Sequence, residues 1–370
     1  MIKVVVTGTR GIPGIQGGIE THCEQLYPRL AQRGADVTVV RRSDYVGSTA
    51  GLKEYKGVKL CDIASVKNKY LEAALHTLMG VLYARRVMAK VVHIHGVGPC
   101  LLAPIARWLG LKVVATCHGS DYNRDKWGSV SSAIIKMGEW CMMNYSNSVI
   151  AISDQIADGL INEYGYASKV RVIPNGVNEP PVPQSFDYLN ELGLTAGEYV
   201  VAVARFVPEK RLDMLVDAFG RISTCGKKLV LVGDSDIDDQ YSRDLKVKAR
   251  EAGVVLTGFI KGDKLAQVMS AAALFVLPST HEGLSISLLE AMSYGLDVLV
   301  SDIKPNMLPE LDPLDHFHVD NMDSLCNELY RKISKPAARR TYNMTKYSWD
   351  QIAIDTVMAY RAAEVDYYTT

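Results

Sequence analysis

Short runs of β-branched and aliphatic residues recur along this chain of 370 residues, each closed by glycine or a polar residue and followed by a segment long enough for a helix. The first five are KVVVTG (3–8), DVTVVR (36–41), VVHIHG (91–96), KVVATCHG (112–119) and SVIAIS (148–153). Near-continuous apolar runs belong to strands buried on both faces, and strands spaced by helices lie parallel. The same rhythm restarts after PNGVNEPPVPQSFD (174–187) with EYVVAVARF, KKLVLVGD, GVVLTGF, ALFVLPS and LDVLVSD. Pro180, Pro181 and Pro183 mark a linker. The pattern predicts two α/β domains, each wound on its own sheet, and the length suits two cores better than one. The final segment YSWDQIAIDTVMAYRAAEV, with Ile352, Val357, Ala359 and Tyr360, reads as a terminal helix that docks on a neighbour.

Overall charge names no partner, because 41 basic and 41 acidic side chains cancel. Their distribution is uneven: residues 1–180 hold 21 basic and 14 acidic side chains, leaving 20 and 27 for the remainder. A basic first half suits an anionic surface or substrate, although such asymmetry is also common between ordinary domains. Seven cysteines without a CxxC pair argue against a disulfide framework and a zinc site, so a reducing cytosol is expected. The chain opens directly on IKVVVTG, and no stretch reaches the roughly 18 apolar residues of a membrane span. A protein neither secreted nor integral is the expectation.

Open parallel sheets bind ligands at the carboxyl ends of their strands, and two such domains face one another across a cleft lined by strand-end loops. In the first strand-to-helix turn, TGTRGIPGIQGGIETH, five glycines fall between Gly8 and Gly18, with Glu20 and Glu24 in the first turns of a helix starting near Gly18. Amides at such a start attract phosphate. A dinucleotide site is the specific rival, because Gly8, Gly11 and Gly14 imitate a dehydrogenase turn, and Arg41 and Arg42 end the next strand where a ribose phosphate would sit. Its Tyr-x-x-x-Lys pair occurs twice, as Tyr122 with Lys126 and Tyr342 with Lys346, a pattern that arises easily by chance.

His93, His95 and His118 end two neighbouring strands. No acid stands beside His93 and His95, so hydrogen bonding to a substrate or loop carbonyl is favoured over metal binding, with His118 before Gly119 as the ligand contact. In the second half, Arg205 ends a strand and Lys210 follows, a fork and a point charge suited to an anion. Asp234 and Asp236 in GDSDIDD have a spacing that suits Mg²⁺ but read first as a polar loop capping a helix.

The stretch PSTHEGLSISLLEAMSYG (278–295) sets Glu282 in a turn with Gly283 and Glu290 inside an apolar helix whose free amides are expected near Leu284 and Ser285. Burying Glu290 without a partner is costly. Acceptors flanking an anion site match a sugar nucleotide, with Glu290 on a ribose diol and Glu282 on a second polyol.

These residues carry a resemblance. Glu282 and Glu290 in a Glu-x7-Glu spacing, VARFVPEKRLDMLVDAF, IPNGV, THEGLSISLLEAMSYG and GGIETH resemble the retaining glycosyltransferases of family 4, over nearly the whole chain. VVVTGTRGIPGIQGGIETHCEQLYPRLAQRGADVTVV, NKYLEAALHT, HIHGVGPCLLAPIARWLG and CHGSDYNRDKWG further resemble a subgroup with rhamnosyltransferases of bacterial surface polysaccharides. The resemblance implies a GT-B fold: a Rossmann-like acceptor-side domain over 1–178, a Rossmann-like nucleotide-sugar domain over 188–346, and a helix over 347–370 crossing back to the first. It further implies that Arg205 and Lys210 bind the donor diphosphate, Glu290 the ribose, Glu282 the sugar ring and His118 a sugar hydroxyl. Gly17 and Gly18 approach the diphosphate, Gly283, Leu284 and Ser285 cradle it, and Gly258, Phe259 and Ile260 border the base. No cofactor and no metal are implied.

The expected activity is therefore retaining transfer of a hexose or deoxyhexose from a UDP-, GDP- or dTDP-linked donor to a growing glycan, a lipid-linked surface polysaccharide precursor. The location expected is cytoplasmic, peripheral at the inner face of the plasma membrane, with residues 71–90 at the lipid surface or in an ordinary core; no nucleic acid partner is expected. An NAD(P)-dependent oxidoreductase, a GT-B sugar-nucleotide epimerase and a non-enzymatic nucleotide-sugar sensor are the alternatives.

Overall fold

The computed structural model describes residues 1–64, 72–119, 129–235 and 239–364, with residues 129–131 described for their backbone alone. Two compact units divide it, one formed by Met1–Gly176 with the chain from Tyr347 onward, the other by Val177–Lys346. The parallel α/β architecture expected from the sequence is present in both.

In the first unit, β1 (Lys3–Thr7), α1 (Gly18–Gln32), β2 (Asp36–Arg42), β3 (Glu54–Tyr55), β4 (Val58–Ile63), α2 (Glu72–Arg86) and β5 (Val91–His95) are followed by α3 (Ala103–Trp108), β6 (Lys112–Cys117), α4 (Ser129–Tyr145), β7 (Ser148–Ala151), α5 (Asp154–Tyr164) and β8 (Val170–Val172). Among the described residues the sheet runs β3-β4-β2-β1-β5-β6-β7-β8, parallel except for β3 on β4. Val4 is flanked by Val37 and Val91 in register. On one face Val4, Val6, Val39, Val114 and Ile150 pack on Leu26, Tyr27 and Leu30 of α1. Tyr360, in the chain's last described helix, joins the same core. Each such fully buried aliphatic side chain contributes about 1.5–3 kcal/mol. On the opposite face Gly80 of α2 lies so close to Thr7 that a Cβ there would sit 2.6 Å from the hydroxyl.

The second unit contains α6 (Asp187–Glu191), β9 (Tyr199–Val203), α7 (Leu212–Arg221), β10 (Lys228–Val232), α8 (Gln240–Glu251), β11 (Val255–Gly258), α9 (Asp263–Ala271), β12 (Leu274–Leu277), α10 (Ile286–Ser293), β13 (Asp297–Ser301), β14 (His316–Phe317) and α11 (Met322–Ile333). Its sheet runs β11-β10-β9-β12-β13-β14 and is parallel throughout. Leu212, Leu215, Val216 and Phe219 are the buried stripe of α7, at the spacing of a core-facing helix. The last helix, α12 (Trp349–Glu364), packs on α1 through Ile352, Ala353, Ala359 and Tyr360.

Four strands escaped the sequence reading: β3, β4, β8 and β14. Three are two or three residues long, and in β4, VKLCDI, the charged Lys59 and Asp62 interrupt the apolar run that marks the other strands, although β4 pairs parallel with β2 over five residues. Among the described residues no helix is long and apolar enough to cross a membrane.

Candidate functional site

In the second unit the expected donor residues stand at the carboxyl ends of four adjacent strands. Arg205 follows β9, Gly233 and Asp234 follow β10, Gly258 ends β11, and the segment from Pro278 to Ser285 leads from β12 into α10. The loops are tied together by backbone: Phe206 N donates to Asp234 O (3.0 Å) and Gly233 N to Gly258 O (2.9 Å). A Cβ at Gly233 would lie 2.0 Å from the Ala204 carbonyl, so only glycine permits that approach. Phe259 is exposed and Ile260 half-buried beside Gly258.

Lys210 and Glu282 meet directly, Nζ to Oε1 at 2.6 Å, both largely shielded from solvent. Their loops are held in that relation because Thr280 donates twice to Glu209 O, from its amide (2.9 Å) and its hydroxyl (3.3 Å). The sequence reading placed Lys210 on phosphate and Glu282 on a sugar; the fold makes them a pair.

The helix expected to face an anion begins later than its sequence suggests. Ser285 is the N-cap of α10 and its hydroxyl accepts from Leu288 N (3.3 Å), so the first helical amides belong to Ile286 and Ser287, while Leu284 is buried before the helix. Gly283 lies in the turn. Glu290, one turn further in and half-buried, receives no hydrogen bond to its carboxylate from the described residues, and the loss of solvent around it pushes it up to about 7. Tyr294, at the end of the same helix, is raised to about 12 by burial and by the charge of Glu290. A raised, unpartnered acid in an otherwise apolar helix is costly to the fold and is the pattern of a ligand-binding group.

In the first unit the glycine turn is closed by the helix that follows it. Glu20 accepts from Arg10 N (3.0 Å) and the Thr9 hydroxyl (3.2 Å), Glu24 accepts from Gly14 N (2.7 Å), and Gly11 N donates to the Thr9 hydroxyl (3.1 Å). Gly17, at φ 144°, is the N-cap of α1; a Cβ there would lie 2.1 Å from Glu20 Oε2. Gly18 starts the helix with open space where a Cβ would be.

The dinucleotide reading does not survive this geometry. Gly8 is needed because a Cβ would lie 2.3 Å from the His95 carbonyl, and Gly11 because it packs on the Arg41 side chain. Arg41 is fully buried, and its five N–H groups meet Asp62 (2.6 Å), the Thr49 hydroxyl, and the carbonyls of Ile12, Thr49 and Leu52. Arg42 pairs with Glu72 at 3.4 Å. Tyr342 donates to Leu296 O (2.8 Å) and Lys346 pairs with Glu310 (2.9 Å). Tyr122, Lys126 and Asp236 lie outside the described residues. Asp234 is held down, against burial, by Lys246 at 2.5 Å and by Ser235 N. Among the described residues no three His, Cys, Asp or Glu side chains converge as metal ligands.

His118 follows β6 and is partly exposed. Its Nε2 lies 2.9 Å from Nδ1 of buried His95. His93 and His95 face neither a loop carbonyl nor solvent, contrary to expectation: both lie in the core, bonded to Tyr27, Tyr360 and Thr116. Sequence reasoning missed His22, which packs edge-on against His95, His118 and Trp349 and whose Nδ1 lies 2.9 Å from Asn175 Oδ1. Its only sequence signal was its place in GGIETH, one helical turn beyond Gly18.

Comparison with known proteins fits this arrangement. Residues 16–179 match the family model Glycosyltransferase Family 4 and residues 197–335 match Glycosyl transferases group 1. An uncharacterised glycosyltransferase of Methanocaldococcus jannaschii is 27% identical over 98% of both chains. The Escherichia coli UDP-Gal:alpha-D-GlcNAc-diphosphoundecaprenol alpha-1,3-galactosyltransferase is 29% identical over 89% of this chain and 88% of its own. Among solved structures, sucrose-phosphate synthase from Thermosynechococcus elongatus superposes with a TM-score of 0.79 at 20% identity, covering 98% of each chain. Anabaena HepE in complex with UDP-glucose gives 0.78 at 18% identity over 98% of this chain and all of its own. The chain is a glycosyltransferase of GT-B fold, a Glycosyltransferase Family 4 domain followed by a Glycosyl transferases group 1 domain.

Proposed function

We propose that this enzyme transfers a hexose or deoxyhexose, with retention, from a UDP-, GDP- or dTDP-linked donor to a lipid-linked precursor of a surface polysaccharide; a rhamnosyltransferase is the form the N-terminal motifs favour. The observation that carries the donor assignment is Glu290, an acid raised to about 7 by burial with no donor to its carboxylate among the described residues. Two vicinal ribose hydroxyls supply the two hydrogen bonds it lacks, and a charged carboxylate makes them strong.

In this reading Arg205, Lys210 and the amides opening α10 take the diphosphate, with Gly283, Leu284 and Ser285 lining the approach and Gly258, Phe259 and Ile260 bordering the base. Lys210 is neutralised by Glu282 in the free protein; the arriving diphosphate competes for the ammonium and releases the carboxylate to sugar hydroxyls. From the first unit we assign His118 to a sugar hydroxyl, with Gly17 and Gly18 as backbone contacts to the diphosphate. As the anomeric C–O bond breaks, negative charge collects on the leaving phosphate, where fixed cations and dipoles act most strongly. That phosphate oxygen takes the proton of the acceptor hydroxyl attacking the same face, so no carboxylate nucleophile and no metal are required.

A lipid-linked acceptor is supported by the exposed side of the first unit. Helices α2, α3 and α4 are neighbours. Their exposed positions include Leu75, Met79 and Leu82 of α2, Trp108 of α3 at 85% exposure, and Ile134, Met137 and Trp140 of α4, with Arg85 and Arg86 closing α2. Apolar side chains with basic neighbours suit an anionic lipid surface. The E. coli galactosyltransferase relative acts, by its name, on a diphosphoundecaprenol-linked sugar.

The test is a panel of sugar nucleotides and NADPH in thermal unfolding, followed by NMR of the product linkage. Stabilisation by one sugar nucleotide, and an α-linked product from an α-linked donor, are expected. Stabilisation by NADPH alone, or an inverted linkage, would overturn the assignment.

A further inference from the structure

A line of hydrogen bonds runs from His118 through the core of the first unit to the C-terminal helix. His118 Nε2 meets His95 Nδ1 at 2.9 Å, His95 Nε2 meets the Tyr27 hydroxyl in a short contact, Tyr27 lies 3.0 Å from His93 Nδ1, and the Tyr360 hydroxyl lies 2.8 Å from the same nitrogen. His93 Nε2 ends the line on the Thr116 hydroxyl at 2.7 Å. Tyr27, His93, His95, Thr116 and Tyr360 are all inaccessible to solvent. Burial lowers His93 to about 3 and drives His95 and His118 well below the usual histidine range, while it raises both phenols. Every ring is therefore neutral and every phenol carries its proton.

Neutral imidazole has one donor and one acceptor nitrogen, so fixing one proton fixes those along the line. His93 Nδ1 has two phenols within reach and accepts well from only one. If Tyr360 donates to it, Tyr27 is free to donate to His95 Nε2, and both phenol protons then rest on imidazole nitrogens. In the opposite arrangement Tyr27, which also lies within hydrogen-bonding reach of Tyr360, donates to His93, and its oxygen, a poor acceptor because its lone pair is delocalised into the ring, must receive the proton of His95 and that of Tyr360.

We infer that Tyr360 and Tyr27 impose a single direction on this line, so that His95 donates from Nδ1 to His118 Nε2 and His118 is held in its Nδ1–H form, as a hydrogen-bond donor to a substrate oxygen. Tyr360 and His95 are positioning residues: they act through His118. The effect on transfer rests on the assignment of His118 to a sugar hydroxyl; the tautomer itself does not. The arrangement gives α12 a second role besides packing, since it carries the hydroxyl that settles the proton order four hydrogen bonds away.

The experiment is ¹⁵N-resolved NMR of the histidine side chains in the full-length protein at neutral pH, with His118 assigned by its loss in His118→Gln. The native protein is expected to show His118 as the Nδ1–H form alone. Tyr360→Phe, which keeps the ring packing, is expected to add an Nε2–H population at His118 and to lower kcat about tenfold, the worth of one hydrogen bond, with donor KM unchanged. Native His118 in the Nε2–H form would overturn the inference without any variant, and so would a Tyr360→Phe spectrum identical to the native one. A tautomer shift in Tyr360→Phe with unchanged turnover would uphold the proton line and overturn instead the contact between His118 and the sugar.

Discussion

Lys210 Nζ lies 2.6 Å from Glu282 Oε1, a pair joined across 72 residues of chain and shielded from solvent on both sides. A cation kept in place by an internal carboxylate is preorganised for an anion, because neither its position nor its desolvation must be established when the ligand arrives. The same pairing makes each partner depend on the other.

Replacing Lys210 separates its two roles. Lys210→Ala leaves Glu282 shielded and unpaired, which costs about 1–3 kcal/mol of stability. Loss of a charge on the leaving phosphate costs more, and turnover is expected to fall at least about 100-fold. Steady-state kinetics beside urea unfolding checks this; a variant with native kcat removes Lys210 from the chemistry.

Glu290 sets a pH dependence with a definite sign. Its folded-state value of about 7 lies above the ordinary 4.5, so its contribution to stability is complete below about pH 4.5 and is lost as pH rises to about 7. Glu290→Gln is expected to be more stable than the native protein at pH 8, by on the order of 2–3 kcal/mol, with little difference near pH 5. Donor affinity should move the other way, rising with pH up to about 7 in the native protein and staying weak and flat in Glu290→Gln. Denaturant midpoints and calorimetric titration at both pH values decide it; equal stabilities at pH 8 would show that the carboxyl is not raised.

The exposed helices of the first unit predict membrane sedimentation. Binding to vesicles containing anionic phospholipid, and not to neutral ones, is expected at moderate salt. At about 1 kcal/mol per basic side chain, Arg85→Glu with Arg86→Glu should weaken partitioning at least thirtyfold, and Trp140→Ser should weaken it further. Indifference to both vesicle types would leave this face without a lipid role.

Transfer is expected to persist in excess EDTA, because in the proposed donor site Arg205, Lys210 and the α10 amides supply the positive charge at the leaving phosphate. Activity that vanishes with EDTA and returns with Mg²⁺ would place a metal in the reaction.

The two parallel sheets, the position of the glycine turn, and the strand-end placement of Arg205, His118 and Glu282 were determined by the sequence alone, because apolar periodicity and strand-to-helix punctuation are local properties that survive without knowledge of neighbours. Side-chain partnership is not local. Arg41 looked like a phosphate ligand until five acceptors from three segments closed round it, and Lys210 and Glu282 looked independent until Thr280 drew their loops together. His93 and His95 were legible as strand residues, yet only the packing of α1 and α12 put Tyr27 and Tyr360 against them, the latter from 267 residues away. What tertiary structure decided was which polar groups satisfy one another in the interior and which, like the half-buried Glu290, receive no hydrogen bond from the described residues, since a polar atom's cost on leaving water depends on neighbours that only the folded chain supplies.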